Sequence, residues 1–242
     1  SMWRPGVTLR KRELHVMKRC ECEELRKKLE MLRTGKPDKQ GLRDILRGHK
    51  APRHNRAHFR MGRPTAWDVE QILRETPQTT FLTITRKNAA QLNKWAVETL
   101  FADALCVDEV PVEPDDENHW PETVKVYVGM RITLSKNLNK AIGFVNGMGA
   151  TVLAKCRTGF LVETDQGRKI IVHPWTDEHR VTSFPFRLGY ATTLHKVQGL
   201  TLDHITLWLD LPNMPAAAYV ALSRVRRDAD WQYIGDPTRH HF

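Results

Sequence analysis

Nowhere in the 242 residues does Gly-x-x-x-x-Gly-Lys-Ser/Thr occur, the loop whose backbone N–H groups cradle nucleotide phosphates. A chain lacking it is expected not to hydrolyse a nucleoside triphosphate by itself. Cysteine is also scarce. Cys20, Cys22, Cys106 and Cys156 form no Cys-x-x-Cys pair and have no histidine at zinc spacing, which excludes a zinc-knuckle module. They are expected to be buried or half-buried free thiols of a reducing compartment. No apolar run approaches the roughly 20 residues of a membrane span. Ser1-Met2-Trp3-Arg4 leads into basic residues without an apolar stretch, so no signal peptide is expected.

Acidic residues are few where basic ones abound. Residues 1–60 hold 18 Lys and Arg against 7 Asp and Glu, while the rest of the chain is close to balance, so the net charge of +10 resides in the first quarter. Such a segment attracts polyphosphate and releases counterions on binding. A solvated helix face gives the same composition. Residues 103–122 reverse the bias, with eight acids, three prolines and no Lys or Arg; they read as a surface loop.

Leu14, Met17, Leu25, Leu29 and Leu32 fall mainly at three- and four-residue steps, predicting an amphipathic helix over 11–34 closed by Gly35 and Pro37. A short helix is expected around Leu42–Leu46, and Thr65-Ala-Trp-Asp opens a capped helix running to about Arg74. Phe81-Leu-Thr-Ile-Thr is a strand that passes directly into a helix with Ala89, Leu92, Trp95 and Ala96 on one face, which is half of a parallel βαβ unit. From Val124 the pattern becomes short strands (124–134, 150–156, 159–164, 168–173), with Asp165-Gln-Gly167 as a hairpin connection. A small barrel is expected there. The α/β pattern then returns: a strand from Phe184 to Tyr190, a helix around Thr193–Gln198, a strand over 204–210, a helix over 215–225 and a strand over 231–234.

Two polar constellations stand next to these last elements. In Thr193-Leu-His-Lys-Val-Gln-Gly199, the first turn of a helix would present N–H groups and its dipole to an anion. Thr193 and His195 add donors, Lys196 a point charge, Gln198 a bridging amide, and Gly199 a positive φ or a close approach. A polar helix with one solvated lysine has the same composition. In Ala218-Tyr-Val-Ala-Leu-Ser-Arg-Val-Arg226, Arg224 stands at a helix end, with Tyr219 and Leu222 facing the core, Ser223 orienting its neighbour, and Arg226 and Arg227 solvated.

Together these segments resemble motifs V and VI of superfamily-one DNA helicases of the PIF type (petite integration frequency). The resemblance extends to the strand followed by Thr85-x-x-Asn88, to Gly129-Met-Arg-Ile-Thr-Leu-Ser-Lys-Asn137 and to the turn Val145-Asn-Gly-Met-Gly149. It implies the C-terminal half of a motor. The expected fold is one RecA-like α/β domain with a mainly parallel sheet, interrupted by a small SH3-like β-barrel. Its parts would be a basic helical segment (1–65), the first part of the RecA-like domain (66–123), the barrel (124–180) and the second part (181–242).

The resemblance assigns Arg224 as the finger that stabilises charge on a transferred phosphoryl group, and Arg19 as a second phosphate sensor. Cys20 stands where the family has glutamine beside that arginine, and a solvated helix face also accounts for Arg19. Thr193, His195 and Lys196 would grip single-stranded DNA, with Asn137, Lys136 and Lys140 as weaker backbone contacts, and Gln198 and Gly199 would couple the grip to the nucleotide. An intact relative uses ATP and Mg²⁺ to move 5′→3′ on single-stranded DNA and acts in genome maintenance, including on G-quadruplexes. This chain would need the missing N-terminal RecA-like domain for the phosphate loop and the metal carboxylate. It is expected to bind neither ATP nor metal alone, and to be intracellular, nuclear or mitochondrial in a eukaryote and otherwise cytoplasmic. A stand-alone single-strand-binding module with relic motifs, or a structural piece pairing with a separately encoded ATPase half, would share these features.

Overall fold

The computed structural model describes residues 20–51, 63–113 and 120–242. The expected helix over 11–34 is described only from its C-terminal part, α1 (Glu23–Thr34), whose first turn is capped by the Cys22 thiol accepting the Leu25 N–H. Leu14, Met17 and Arg19 lie outside the described residues. Helix α2 (Lys39–Leu46) follows an Asp38 cap. Helix α3 (Ala66–Glu75) opens on a capping box: Thr65 Oγ1 accepts the Asp68 N–H, and the Asp68 carboxylate accepts the Thr65 N–H at 2.7 Å.

Strand β1 (Thr79–Thr83) is buried at every position and leads into α4 (Arg86–Leu100). With β11 (Ala191–Thr193), β12 (His204–Trp208) and β13 (Trp231–Tyr233) it forms a four-stranded, wholly parallel sheet of order β11-β1-β12-β13, in which it is central. Successive side chains of a strand point to opposite faces. Phe81 accordingly packs with Val69, Ile72, Ala89 and Leu92 of α3 and α4. Leu82 packs on the other side with Leu25 and Leu29 of α1, Ile45 of α2, and Ala221 and Leu222 of α5 (Ala217–Leu222). Two helical layers thus cover one parallel sheet, which is why β1 reads as a continuous buried run.

Between α4 and β11 lies an antiparallel region. Strands β2 (Asp108–Val112) and β3 (Glu122–Val126) form a two-stranded ribbon. β4 (Arg131–Leu134), β5 (Gly149–Cys156), β6 (Gly159–Thr164), β7 (Lys169–Val172) and β10 (Phe186–Leu188) form a sheet of order β10-β4-β5-β6-β7. The short pair β8 (Trp175–Thr176) and β9 (Thr182–Ser183) completes the strands. The hairpin at 165–167 forms as expected, with the Gly167 N–H donating to the Thr164 carbonyl at 2.8 Å.

In four places the fold departs from the sequence pattern. The span 103–122 is not wholly loop: Val110 and Val112 alternate inward and are buried, so 108–112 pairs as a strand. The stretch 124–134 is two strands, because Gly129 at φ +85 turns the chain between them. The run from Phe184 to Tyr190 is not one strand of the parallel sheet, since 186–188 pairs with β4 in the antiparallel one. No helix spans 193–198. Thr193 ends β11, and successive turns follow: the Lys196 N–H donates to the Thr193 carbonyl at 3.0 Å, and the Leu200 N–H to that of Val197 at 3.0 Å. Six residues ending at Gly199, whose φ is +90, are too few to repay helix nucleation when Leu194 and Val197 can reach the core from turns.

Candidate nucleic-acid interface

The turns after β11 set the site. Leu194 and Val197 are buried in the same cluster as Ala221, Leu222 and Val225 of the α5 region, which anchors the segment on its apolar side. His195, Gln198 and Gly199 are left exposed and Lys196 half-buried. Thr193 differs from expectation: it is 6% exposed, closes the strand and offers no surface donor.

Arg224 follows α5 by two residues and is half-buried rather than fully extended into solvent. Its Nε donates to the Val220 carbonyl at 3.0 Å, Nη2 to the Ser223 hydroxyl at 2.7 Å and Nη1 to the Val197 carbonyl at 3.4 Å. Ser223 therefore does orient its neighbour, and Leu222 is fully buried. The Leu202 N–H donates to the Arg224 carbonyl at 2.9 Å. The turn at 194–200 and the arginine are thus joined through both main chain and side chain. Arg226 and Arg227 are exposed and lie 3.7 and 3.4 Å from the Glu21 carboxylate.

A cleft of about 1220 Å³ opens beside the turn. Lys87, Gln91 and Lys94 of α4, Lys125 of the ribbon, Arg187 of β10, and His195, Lys196 and Gly199 line it. Residues Val145–Gly149 of the expected glycine turn also line it. Gly147 has φ +86, and a Cβ there would lie 3.0 Å from Leu200, so glycine is what lets this turn approach the 194–200 segment. Some of the cationic lining is already matched: Arg131 lies 3.2 Å from Asp165, and Arg187 3.8 Å from Glu113.

Lys136 and Asn137 stand apart from this cleft. Lys136 pairs with Glu113 at 2.8 Å and sits 4.4 Å over the Trp175 ring. The Asn137 side-chain oxygen accepts the Asn146 N–H at 3.0 Å, fixing the glycine turn. Lys140 begins an exposed 3₁₀ turn at 140–142.

Three polar groupings have no counterpart in the expectations drawn from sequence. Asp210, at the end of β12, accepts from the Ile84 N–H at 2.7 Å, from the Asn88 amide at 2.6 Å and from the Thr85 hydroxyl, so Thr85-x-x-Asn88 is read by a carboxylate. Asn93 is 8% exposed and joins α4 to the start of β11. Its signal is present in the sequence, since it stands four residues after Ala89 and three before Ala96, on the apolar stripe. Asp228 gathers Lys28, His49 and Trp231 from segments far apart in sequence, which no local pattern reveals. All four cysteines are free; Cys20 is buried and the others half-buried. Burial raises the Cys20 thiol above its ordinary range. Among the described residues, no cluster of three His, Cys, Asp or Glu could hold a metal, and no helix is long and apolar enough to cross a membrane.

No family model matches the chain. Curated relatives do. The ATP-dependent DNA helicase Pif1 of Bdellovibrio bacteriovorus is 38% identical over 118 residues, covering 41% of this chain and 26% of that protein. Human PIF1 is 31% identical over 116 residues, covering 43% and 18%. Both are Pif1 helicases, and this chain matches part of each. Among solved structures, Pif1 helicase from Bacteroides in complex with ADP-AlF3 and ssDNA aligns with a TM-score of 0.65 at 22% identity, covering 93% of this chain and 52% of that one. Candida albicans Pif1 helicase aligns at 0.61 and 21%, covering 91% and 54%. The chain therefore spans about half the length of the Pif1 structures it resembles. The likeness identifies the parallel-sheet layer as a RecA-like α/β fold.

Proposed function

We propose that this chain is the C-terminal motor half of an ATP-dependent 5′→3′ DNA helicase. It grips single-stranded DNA at the turn after β11 and offers Arg224 to a nucleotide held mainly by another RecA-like domain. The observation that carries this reading is the junction of the two constellations: Arg224 bonds to the Val197 carbonyl and, through its own carbonyl, to Leu202, on either side of the exposed Gln198–Gly199 exit. A shift of the turn on DNA would move the guanidinium, and the reverse. The 3.4 Å contact to Val197 is longer than an ordinary N–H···O bond, so exchanging it for a phosphate oxygen costs little.

His195 and Lys196 are the DNA contacts we retain; Thr193 acts from within the strand by ending it where the turn must begin. Gln198 and Gly199 lie at the exit that couples the two. We further propose that the antiparallel insert is the SH3-like barrel of this family, with β10 closing it, and that Lys136 and Asn137 serve its architecture more than DNA. Arg19, if a phosphate sensor, would act from the segment just before Cys20. The residues present fit only one side of a nucleotide. Arg224 supplies a cation, while the phosphate cradle and the carboxylate for Mg²⁺ belong to the partner domain, so no catalytic step is assigned to this chain alone. DNA metabolism places such a protein inside the cell.

Fluorescence anisotropy with a labelled single-stranded oligonucleotide at several salt concentrations tests the grip. We expect weak, salt-dependent binding, with log K falling by about 0.7 for each phosphate neutralised per decade of salt. Lys196→Ala should weaken binding and reduce that slope by about one phosphate's share, and His195→Ala should weaken it further. Affinity indifferent to salt, or unchanged in both variants, would remove the site.

A further inference from the structure

We infer that Asn93, a residue of α4 outside both motifs, is a positioning residue that fixes the strand end from which the DNA turn projects. This inference rests on the DNA reading above. β11 is the edge strand of the parallel sheet and has only three residues. Its inward edge is paired with β1: the Phe81 N–H donates to the Tyr190 carbonyl at 2.8 Å, and the Leu194 N–H to the Thr83 carbonyl at 2.9 Å. By the alternation of a ladder, the polar groups of Ala191 and Thr193 face the other way, where no strand lies among the described residues.

Asn93 takes the place of that strand. Its Oδ1 accepts the Ala191 N–H at 2.8 Å and the Tyr190 N–H at 3.1 Å, while its Nδ2 donates to the Ala191 carbonyl at 2.9 Å. One side-chain amide thus mimics a peptide unit of a neighbouring strand. The next outward carbonyl, that of Thr193, is taken by the Lys196 N–H, which opens the turn. Asn93 thus holds the outer edge at Ala191 and the Lys196 N–H holds it at Thr193, two residues on, so the height of the strand end sets where the turn begins.

Only asparagine meets these demands at this distance. Leucine or alanine leaves two buried N–H groups and a carbonyl unpaired. Aspartate keeps the acceptor for the N–H groups but turns an oxygen toward the Ala191 carbonyl. Either change should let the strand end shift toward the cleft, carrying His195 and Lys196 off their positions.

The test is single-strand binding by the full chain, read as a salt titration with labelled oligothymidylate, for Asn93→Ala, Lys196→Ala and the double variant. Val69→Ala, buried in α3 away from the turn, serves as a comparison of similar thermal cost. Asn93→Ala is expected to bind about tenfold more weakly, with its salt slope reduced by about 0.7, one phosphate's share. The double variant should be no weaker than Lys196→Ala by more than a factor of about two, because both remove the same contact. Val69→Ala should keep the wild-type slope. If Asn93→Ala does not fold, Asn93→Asp is measured in its place, with the same reduced slope expected and a smaller loss of affinity. A wild-type slope in the folded Asn93 variant, beside a reduced slope in Lys196→Ala, overturns the positioning role alone. An unchanged slope in Lys196→Ala overturns the DNA reading and the inference with it.

Discussion

In a protein that joins this chain to a phosphate-loop domain, Arg224→Ala is expected to lower DNA-stimulated ATP turnover by about 10³–10⁵, the usual worth of an arginine finger. That corresponds to about 4–7 kcal/mol of barrier. Arg224→Lys should recover little, because a single ammonium cannot reproduce the forked guanidinium that here reaches Val220, Ser223 and Val197 at once. Single-strand affinity should stay largely intact, since Arg224 is not among the residues lining the cleft. In the isolated chain the same substitution removes bonds to two backbone carbonyls and a hydroxyl, so its thermal cost should be about 1–2 kcal/mol. Turnover within tenfold of wild type, with folding intact, would assign Arg224 to architecture instead.

The largest effect on stability is expected at Asp228. Its carboxylate receives Lys28 Nζ at 2.6 Å, His49 Nε2 at 3.1 Å and the Trp231 indole N–H at 3.1 Å, while its backbone N–H donates to the Cys22 thiol. The His49 ring also stacks on Trp231, with centroids 3.8 Å apart. This knot fastens α1 and the segment after α2 to β13. The Asp228 and Lys28 side chains are only 15% and 16% exposed, so Asp228→Ala leaves a largely buried ammonium facing His49 Nε2 at 2.8 Å in place of a carboxylate. A cost of about 3–5 kcal/mol follows, or a melting temperature lower by roughly 10 °C for a chain of this size. Burial alone would raise the Asp228 pKa, but Lys28, the Trp231 indole and His49 together hold it below the ordinary carboxylate value. With the folded value depressed, the stabilisation is complete above the unfolded carboxylate range near pH 4 and is lost as pH falls through the folded value. Asp228→Asn should therefore flatten the acid limb of a melting-temperature profile. An unchanged limb, or a loss under about 1 kcal/mol in Asp228→Ala, would show the knot to be ornamental.

The elements legible in the sequence are those with local causes. Thr65 and Asp68 announce a capping box, the strand expected over Phe81–Thr85 forms two residues earlier as Thr79–Thr83 and leads into α4, and Asp165–Gly167 is a hairpin. Arg224 and Ser223 can be found together because their relation is local as well. What the sequence hides depends on distant partners. Leu194 and Val197, three apart, fit a helix or a pair of turns, and pairing of Thr193 with β1 decides for turns. Phe186–Leu188 has the composition of any strand, and only β4 says which sheet it joins. Val110 and Val112 are hidden among prolines and acids, yet burial against the core makes them a strand. Asn93 and Asp228 each serve segments about 100 to 200 residues away, so spacing could not pair them with their partners.

We propose that this chain completes an ATPase it cannot constitute. Steady-state ATP turnover with magnesium and single-stranded DNA tests it most directly, measured for the chain alone and for the chain joined to a phosphate-loop domain of a Pif1-type helicase. The expected result is background turnover alone and DNA-stimulated turnover when joined. Magnesium-dependent turnover that co-purifies with the isolated chain and disappears in its Arg224→Ala variant would contradict the claim.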